Sequence, residues 1–233
     1  MKCLVFDICG EYGHFRKFYT TSSPLTFSIP PRTTLSGLIS AIIGLDKDDY
    51  LKYFSKDNAN IAIQINSPIN KTRLSYNLIN TKTAKMYSKI SDRTQVTFEL
   101  LKNPNFRIYF NHKDKEIYKK LKNFLENKKN YYTLSMGLSE FIAEFNYIGE
   151  LDFEYITNLN EFNYINTAIP FDESLEIDIE NDKEYFKDTM PNEMNEERVV
   201  LDYKKILFER NGFSIKCKCN YYKGSGEEKI VFL

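Results

Sequence analysis

Thr33-Thr34-Leu35-Ser36-Gly37-Leu38-Ile39-Ser40-Ala41-Ile42-Ile43-Gly44 is the stretch from which the rest of the chain can be placed. Leu35, Leu38, Ile39, Ile42 and Ile43 follow the i, i+3, i+4, i+7, i+8 spacing of a helix with one buried face. Thr33 or Thr34 is the expected N-cap, and Gly44 tolerates the left-handed backbone that closes many helices. Upstream, Lys2-Cys3-Leu4-Val5-Phe6-Asp7-Ile8-Cys9 is an apolar run of strand formers stopped by Gly10, with Cys3 and Cys9 on one face. Downstream, Asn60-Ile61-Ala62-Ile63-Gln64-Ile65-Asn66 is a second strand. Thr94 to Leu100, with Arg107-Ile108-Tyr109-Phe110 beyond the turn Asn103-Pro104-Asn105, makes a third strand or a hairpin. Asp114 to Lys129 repeats the helical period with Ile117, Leu121, Phe124 and Leu125, and Glu140 to Ile148 returns as a strand. The order β-α-β-β-α-β predicts an α+β, ferredoxin-like (RRM-like) domain, an arrangement that by itself fixes no function.

Beyond Gly149 the pattern changes to strands and acidic loops, which predicts a domain over 1–149 and a smaller β-rich C-terminal unit over 150–233. Leu201 to Glu209 and Phe213 to Tyr221 flank Asn211-Gly212, a turn dipeptide that predicts a hairpin. Phe213, Ile215, Cys217 and Cys219 alternate with polar residues, so the two late cysteines are expected as core thiols. With Cys3 and Cys9 they form no disulfide density and no CxxC pair, and the two histidines add no cluster, so neither a metal nor another cofactor is expected.

At 233 residues, 42% hydrophobic and 27% charged, the chain has enough apolar residues for a sizeable core and is too apolar for disorder. No run reaches the ~18 to 20 apolar residues of a bilayer helix, and Asp7 interrupts the N-terminus before a signal-peptide core can form. A soluble cytoplasmic protein without membrane association is expected. The formal net charge is +0, but it is unevenly distributed. Residues 150–200 hold fifteen acids and three bases, net −12, residues 201–233 carry +3, and residues 1–149 therefore carry +9. Such polarity suits an anionic ligand on the first unit only. Within that unit, the stretch 69–95 contains Lys71, Arg73, Lys82, Lys85, Lys89 and Arg93 against Asp92 alone, with no Gly or Pro, and reads as a basic excursion between two strands.

The loop Glu11-Tyr12-Gly13-His14-Phe15-Arg16-Lys17-Phe18-Tyr19-Thr20-Thr21-Ser22-Ser23 interleaves cations, rings and hydroxyls. That mixture suits single-stranded RNA, whose phosphates take Arg and Lys while bases stack on rings. Phe15 or Tyr19 is the expected stacking ring. A surface loop with a buried aromatic anchor is the plainer account of the same residues. Arg32-Thr33-Thr34 then sets a guanidinium, two hydroxyls and free backbone N–H groups at a helix N-terminus, a ready anion site.

Gly10 to Ser23, then Leu25-Thr26-Phe27-Ser28-Ile29-Pro30-Pro31-Arg32-Thr33-Thr34-Leu35-Ser36-Gly37-Leu38-Ile39 and Ile43-Gly44, resembles the N-terminal signature of the CRISPR-associated Cas-five family. A second stretch, Tyr132-Thr133-Leu134-Ser135-Met136-Gly137-Leu138-Ser139-Glu140-Phe141-Ile142-Ala143, is similar to the glycine-containing segment before that family's last core strand. The resemblance implies a RAMP-type subunit, subtype I-B-like, at one end of a type I Cascade complex. It implies that the crRNA 5′ handle is the ligand, that the backbone and large subunits are partners, and that target DNA is met only indirectly. The excursion at about 69–95 would be the family's thumb. The residues expected at RNA are His14, Phe15, Arg16, Lys17, Tyr19, Thr20, Arg32, Thr33, Thr34, Lys71, Arg73, Arg93, Met136 and Gly137.

Two other functions stay open. Some members of the family cleave precursor crRNA without metal, using a Tyr with a neighbouring Lys and His, for which Tyr19, His112 and Lys113 are the candidates here, with Tyr12 and His14 nearby. His and Lys suit the base, acid and phosphorane-stabilising roles of that reaction. Leu25 to Thr34, however, resembles the non-catalytic members, and His112 at a strand end also suits an exposed turn. The other alternative is a protein scaffold that contacts no RNA.

Overall fold

Leu4, Phe6 and Ile8 face one side of the first strand and Cys3 and Val5 the other, and all five are at most 1% exposed. A strand covered on both faces belongs in the middle of a sheet. In the computed structural model, which describes residues 1–20, 23–79, 93–158 and 160–233, this strand, β1 (Lys2–Gly10), is central. The elements that follow are β2 (Tyr12–Gly13), α1 (Arg32–Ile43), α2 (Tyr50–Tyr53), β3 (Ala59–Ile65), β4 (Asn70–Ile79), β5 (Arg93–Lys102), β6 (Asn105–His112) and α3 (Lys115–Glu126). After them come β7 (Ala143–Ile156), β8 (Asn163–Ile165), β9 (Ile169–Pro170), β10 (Glu176–Ile177), β11 (Tyr185–Met194), β12 (Val200–Glu209), β13 (Ile215–Lys218), β14 (Tyr221–Gly224) and β15 (Lys229–Ile230).

The main sheet has the order β15-β14-β7-β1-β6-β3 with every neighbouring pair antiparallel. Leu4, Phe6 and Ile8 pack with Leu35, Ile39 and Ile42 of α1 and with Ile117, Leu121 and Leu125 of α3 in one core. Each such side chain contributes about 1.5 to 3 kcal/mol by leaving water. On the opposite face Cys3, Val5, Ala62, Tyr109, Phe153 and Ile230 make a second core. The chain is thus α+β with strand predominating.

Four expectations change. Helix α1 begins at Arg32 with extended Pro31 as its N-cap and no side-chain cap, so neither Thr33 nor Thr34 caps it. Its end is as expected: Gly44 sits at φ 70°, and a Cβ there would lie 2.4 Å from the Tyr131 ring. Second, the strand at 93–102 is not in the main sheet. It pairs with β4 along its whole length, Arg73 opposite Glu99 and Tyr76 opposite Val96, and with β2 at its foot. β4 and β5 therefore form a two-stranded ribbon, and Lys82, Lys85 and Lys89 lie outside the described residues. Third, β7 starts at Ala143 and runs to Ile156. β7 thus runs past Gly149 and Glu150, beyond the strand expected over 140–148, and β14 and β15 extend the same sheet.

Fourth, Asn211-Gly212 does not make a hairpin. β12 pairs with β11 and β9, whereas β13 pairs with β8 and β10. The Glu209 carboxylate accepts the N–H groups of Asn211 and Phe213 at 2.8 Å and of Glu184 at 2.9 Å, which turns the chain out of the β12 plane. Gly212, at φ 85°, lies so close to β3 that a Cβ would come within 2.4 Å of the Ile65 carbonyl oxygen. The glycine serves that approach.

Candidate nucleic-acid interface

Residues 14–31 are a loop whose two legs are laced together. Phe15 N–H donates to Thr26 Oγ1 at 2.9 Å, Phe27 N–H to Phe15 O and Lys17 N–H to Leu25 O, both at 2.8 Å. Phe15 turns inward at 4% exposure and Arg16 outward. Phe15 is the buried anchor and no base reaches its face. His14, 2% exposed, is also internal. Its Nδ1 lies 2.8 Å from Glu99 O, its ring meets Phe98 edge-on, and burial holds its pKa below the ordinary histidine value.

Past Lys17 the legs part. Phe18 and Tyr19 are 56% and 59% exposed, their rings lie 5.1 Å apart, and Phe18 reaches Tyr203 of β12 at 5.0 Å. Arg16, exposed beside them, donates to Thr20 O at 3.1 Å. Thr20 closes the turn by donating to Lys17 O at 2.8 Å. Lys17 itself is half-buried, with Nζ 2.7 Å from Asp188 Oδ1. The open rings are thus Phe18, Tyr19 and Tyr203. Phe18 and Tyr203 were not singled out from sequence, because their exposure depends on where the loop legs part and on how β12 lies beside the loop.

Arg32 is corrected outright. It is 3% exposed, and its guanidinium donates to the carbonyls of Ala59 at 2.7 Å, Ser55 at 3.1 Å and Asn192 at 3.3 Å. It ties the start of α1 to the α2–β3 turn and to β11, and it does not face a ligand.

Thr33 and Thr34, by contrast, line a cleft of about 540 Å³ together with Gly137, Ser135, Tyr50 and Arg198. The first-turn N–H groups of α1 have no side-chain cap. Gly137, at φ 98°, lies where a Cβ would fall 1.9 Å from His14 O, and the neighbouring Met136 carbonyl accepts His14 N–H at 2.8 Å. Met136 itself is buried, so it fixes the glycine turn and meets no ligand. Arg198 stands at φ 62° and donates to Lys47 O at 3.3 Å. It is a cation on the lining of this cleft and was not singled out from sequence. The available signal was an arginine alone among Glu193, Glu196 and Glu197.

On the ribbon, Lys71 Nζ is held between Glu99 Oε1 and Thr26 O, 3.0 Å from each, while Arg73 and Arg93 are exposed. His112 is neither catalytic in posture nor an exposed turn residue. At 6% exposure its Nε2 lies 2.8 Å from Tyr53 O and its Nδ1 accepts the Asp114 N–H at 2.9 Å. Lys113 follows it with an exposed side chain. None of Tyr19, His112 and Lys113 lines the α1 cleft. Among the described residues, no three His, Cys, Asp or Glu side chains cluster as metal ligands, and no helix is long and apolar enough to cross a membrane. Cys3 and Cys217 are buried thiols, and Cys9 and Cys219 are half-buried.

Ion pairs tie parts of the acidic stretch to bases elsewhere in the fold. Asp188 holds Lys17, Glu150 holds Lys122 at 2.9 Å, Asp202 holds Lys56, and Glu176 and Asp178 hold Lys218 and Lys216 at 2.7 and 2.6 Å. Partly exposed pairs contribute at most ~1 kcal/mol each. They place the acidic segment more than they stabilise it.

The sequence pattern of the family described as CRISPR-associated protein (Cas_Cas5) matches residues 3–204. The chain belongs to the Cas5 family. A search of curated protein sequences finds no match. Among solved structures, this Cas5 protein is similar to a CRISPR protein from Archaeoglobus fulgidus, with TM-score 0.62, 16% identity and coverage of 100% of this chain and 99% of that one. It is also similar to a chain of a CRISPR RNA-guided surveillance complex (TM-score 0.53, 9% identity, 92% and 91% covered). A chain of the type III-B Cmr-beta complex bound to cognate target RNA and AMPPnP matches with TM-score 0.51, 13% identity, and 91% and 86% covered. At these identities the likeness is one of fold.

Proposed function

We propose that this Cas5 protein is a non-catalytic RNA-binding subunit of a CRISPR effector complex of the Cascade kind, in which it holds the 5′ handle of crRNA. The observation that carries this is the cleft at the start of α1. There an uncapped helix N-terminus, the Thr33, Thr34 and Ser135 side chains and Arg198 converge on one space, the donor set that a phosphate-bearing ligand needs. The exposed rings of Phe18, Tyr19 and Tyr203 offer stacking surface to unpaired bases, and Arg16, Arg73 and Arg93 supply exposed charge. Membership of the Cas5 family and the likeness to a surveillance-complex chain supply the context.

The core is read as a ferredoxin-like domain over 1–149 with the β4–β5 ribbon as its thumb. The order β7-β1-β6-β3, with α1 and α3 in one core against it, supports that reading. The 150–233 unit completes the sheet through β14 and β15. The backbone subunit would lie along the ribbon, the large subunit against the acidic unit, and target DNA beyond both. Cytoplasmic location goes with that assignment. The second reading, a metal-independent nuclease acting on precursor crRNA, is disfavoured because both ring nitrogens of His112 already have partners.

The test is incubation of the full chain, in EDTA, with labelled CRISPR-repeat RNA, read on native and denaturing gels. Retarded, intact RNA is expected. Cleavage at one site, abolished by His112→Ala, would replace this assignment with the nuclease. No retardation, either alone or with the backbone subunit, would leave the scaffold.

A further inference from the structure

Away from the α1 cleft, a cavity of about 370 Å³ opens where the signature loop, the foot of the ribbon and the β11–β12 hairpin meet. Its walls bring together Lys17 from the loop, Lys71 from β4 and Arg210 just beyond β12, three cations far apart in sequence. Each head is fixed by a carboxylate partner. Lys17 Nζ donates to Asp188 Oδ1 at 2.7 Å, Lys71 Nζ to Glu99 Oε1 and Thr26 O at 3.0 Å, and Arg210 to Ile69 O at 3.1 Å and Glu184 Oε2 at 2.8 Å. An ammonium has three N–H donors and a guanidinium five, so donors remain on all three. The one carboxylate on the wall itself is Asp188.

The fourth feature is a ring. Phe186 stacks on Phe208 with centroids 6.1 Å apart and planes 17° apart, yet it is 47% exposed. One face is held by the core and the other is open, a rigid platform for a second planar group. The cavity size lies within the ~300 to 1,000 Å³ range of small-ligand sites.

From this we propose that the cavity is a single-nucleotide site. Lys17, Lys71 and Arg210 take the phosphate oxygens, and the base lies on the open face of Phe186. As a subsite for one nucleotide of bound RNA it rests on the RNA-binding reading above, but the donor set and ring would take a free nucleoside monophosphate too. Each of the three cations is already paired with a carboxylate, Asp188 on the wall and Glu99 and Glu184 off it, so a nucleotide binds against three opposing charges, and removing the one on the wall strengthens binding.

Equilibrium binding of labelled AMP to the full chain tests this, with inorganic phosphate as competitor and a melting curve for each variant. Arg210→Gln is expected to weaken AMP binding by about tenfold or more. Phe186→Ala should weaken AMP but leave competition by phosphate unchanged, and Asp188→Asn should tighten AMP by about threefold. The gain in Asp188→Asn is an outcome that loss of folding cannot mimic. Absence of AMP binding at millimolar concentration, or equal affinity in wild type, Arg210→Gln and Asp188→Asn, overturns the site. Repeat-RNA gels with Arg198→Gln and Arg210→Gln separate the two claims. RNA lost with Arg198→Gln but unchanged with Arg210→Gln removes the subsite and keeps the RNA reading. AMP bound by a chain that retards no RNA keeps the site and removes that reading.

Discussion

His14 and Phe15 are followed directly by Arg16, Lys17, Phe18 and Tyr19, a continuous mixture of ring and charge, yet the first two are 2% and 4% exposed and Phe18 and Tyr19 more than half exposed. The difference is made by pairing. Where the loop legs are laced, through Phe15, Lys17, Leu25 and Phe27, the paired backbone holds His14, Phe15, Thr26 and Phe27 against the core. Where they part, both rings stay in solvent. The same contrast separates Arg32 from Arg198. One guanidinium is held by three carbonyls in the interior, the other lines an open cleft. Residue type is therefore a poor guide to exposure here, and the route of the backbone is a good one.

The sharpest way to break this comparison is Arg32→Ala. It strips three buried carbonyls of their donor and should cost about 3 to 5 kcal/mol in a urea melt, while protein that remains folded keeps its RNA affinity. A variant that melts like wild type and fails to bind RNA would put Arg32 on the outside after all. Gly137→Ala comes next, because φ 98° is strained for any side chain and His14 O occupies the added atom's place. A loss of about 2 to 3 kcal/mol is expected. Unaltered stability would mean that the glycine turn is free to move away from the loop.

The outward residues should show the reverse pattern. Tyr19→Ala is expected to leave the melting curve in place and to cost about 1 to 3 kcal/mol of RNA binding if a base stacks there. Arg16→Ala should lower the slope of log affinity against log salt by about 0.7, one single-strand phosphate contact. Phe15→Ala sharpens the contrast, since it should destabilise the fold without changing that slope. A smaller effect follows from His14. Its pKa is lowered in the fold by burial, so at acid pH the unfolded chain takes up a proton that the native one refuses. Stability should be full above about pH 6.5 and decline below it, and His14→Gln should flatten that part of the profile. A profile that His14→Gln leaves unchanged would mean that His14 is solvated in the native state.

Much of the core was legible in sequence because it obeys local periods. α1, α3, β1 and β3 are runs in which apolar spacing alone reports burial. What escaped depends on partners distant in the chain. Nothing near Thr94 says that its strand pairs with β4 instead of the central sheet, and Asn211-Gly212 has the chemistry of a hairpin turn although Glu209 and Ile65 bend it elsewhere. The site divides in the same way. Thr33 and Thr34 stood out in sequence as a helix start suited to an anion, and Gly137 only through the resemblance of its segment to the family. The inward turn of Arg32 depends on carbonyls at 55, 59 and 192, and the place of Arg198 on a β11–β12 hairpin that folds back over α1.

Thr33 gives the smallest expected effect and the most discriminating one. A threonine that caps a helix costs about 0.5 to 2 kcal/mol of stability when replaced by alanine. Here Pro31 holds the N-cap position and Thr33 makes no capping bond, so Thr33→Ala should change stability by less than about 0.5 kcal/mol. The side chain lines the α1 cleft, and loss of one hydrogen bond to a ligand should weaken RNA binding by about 0.5 to 1.5 kcal/mol. Melting and binding curves on the same variant therefore separate two accounts of one residue. A cap-sized drop in Tm with unchanged Kd would mean that the threonine serves the helix and that the cleft takes its phosphate, if any, through Arg198 and backbone alone.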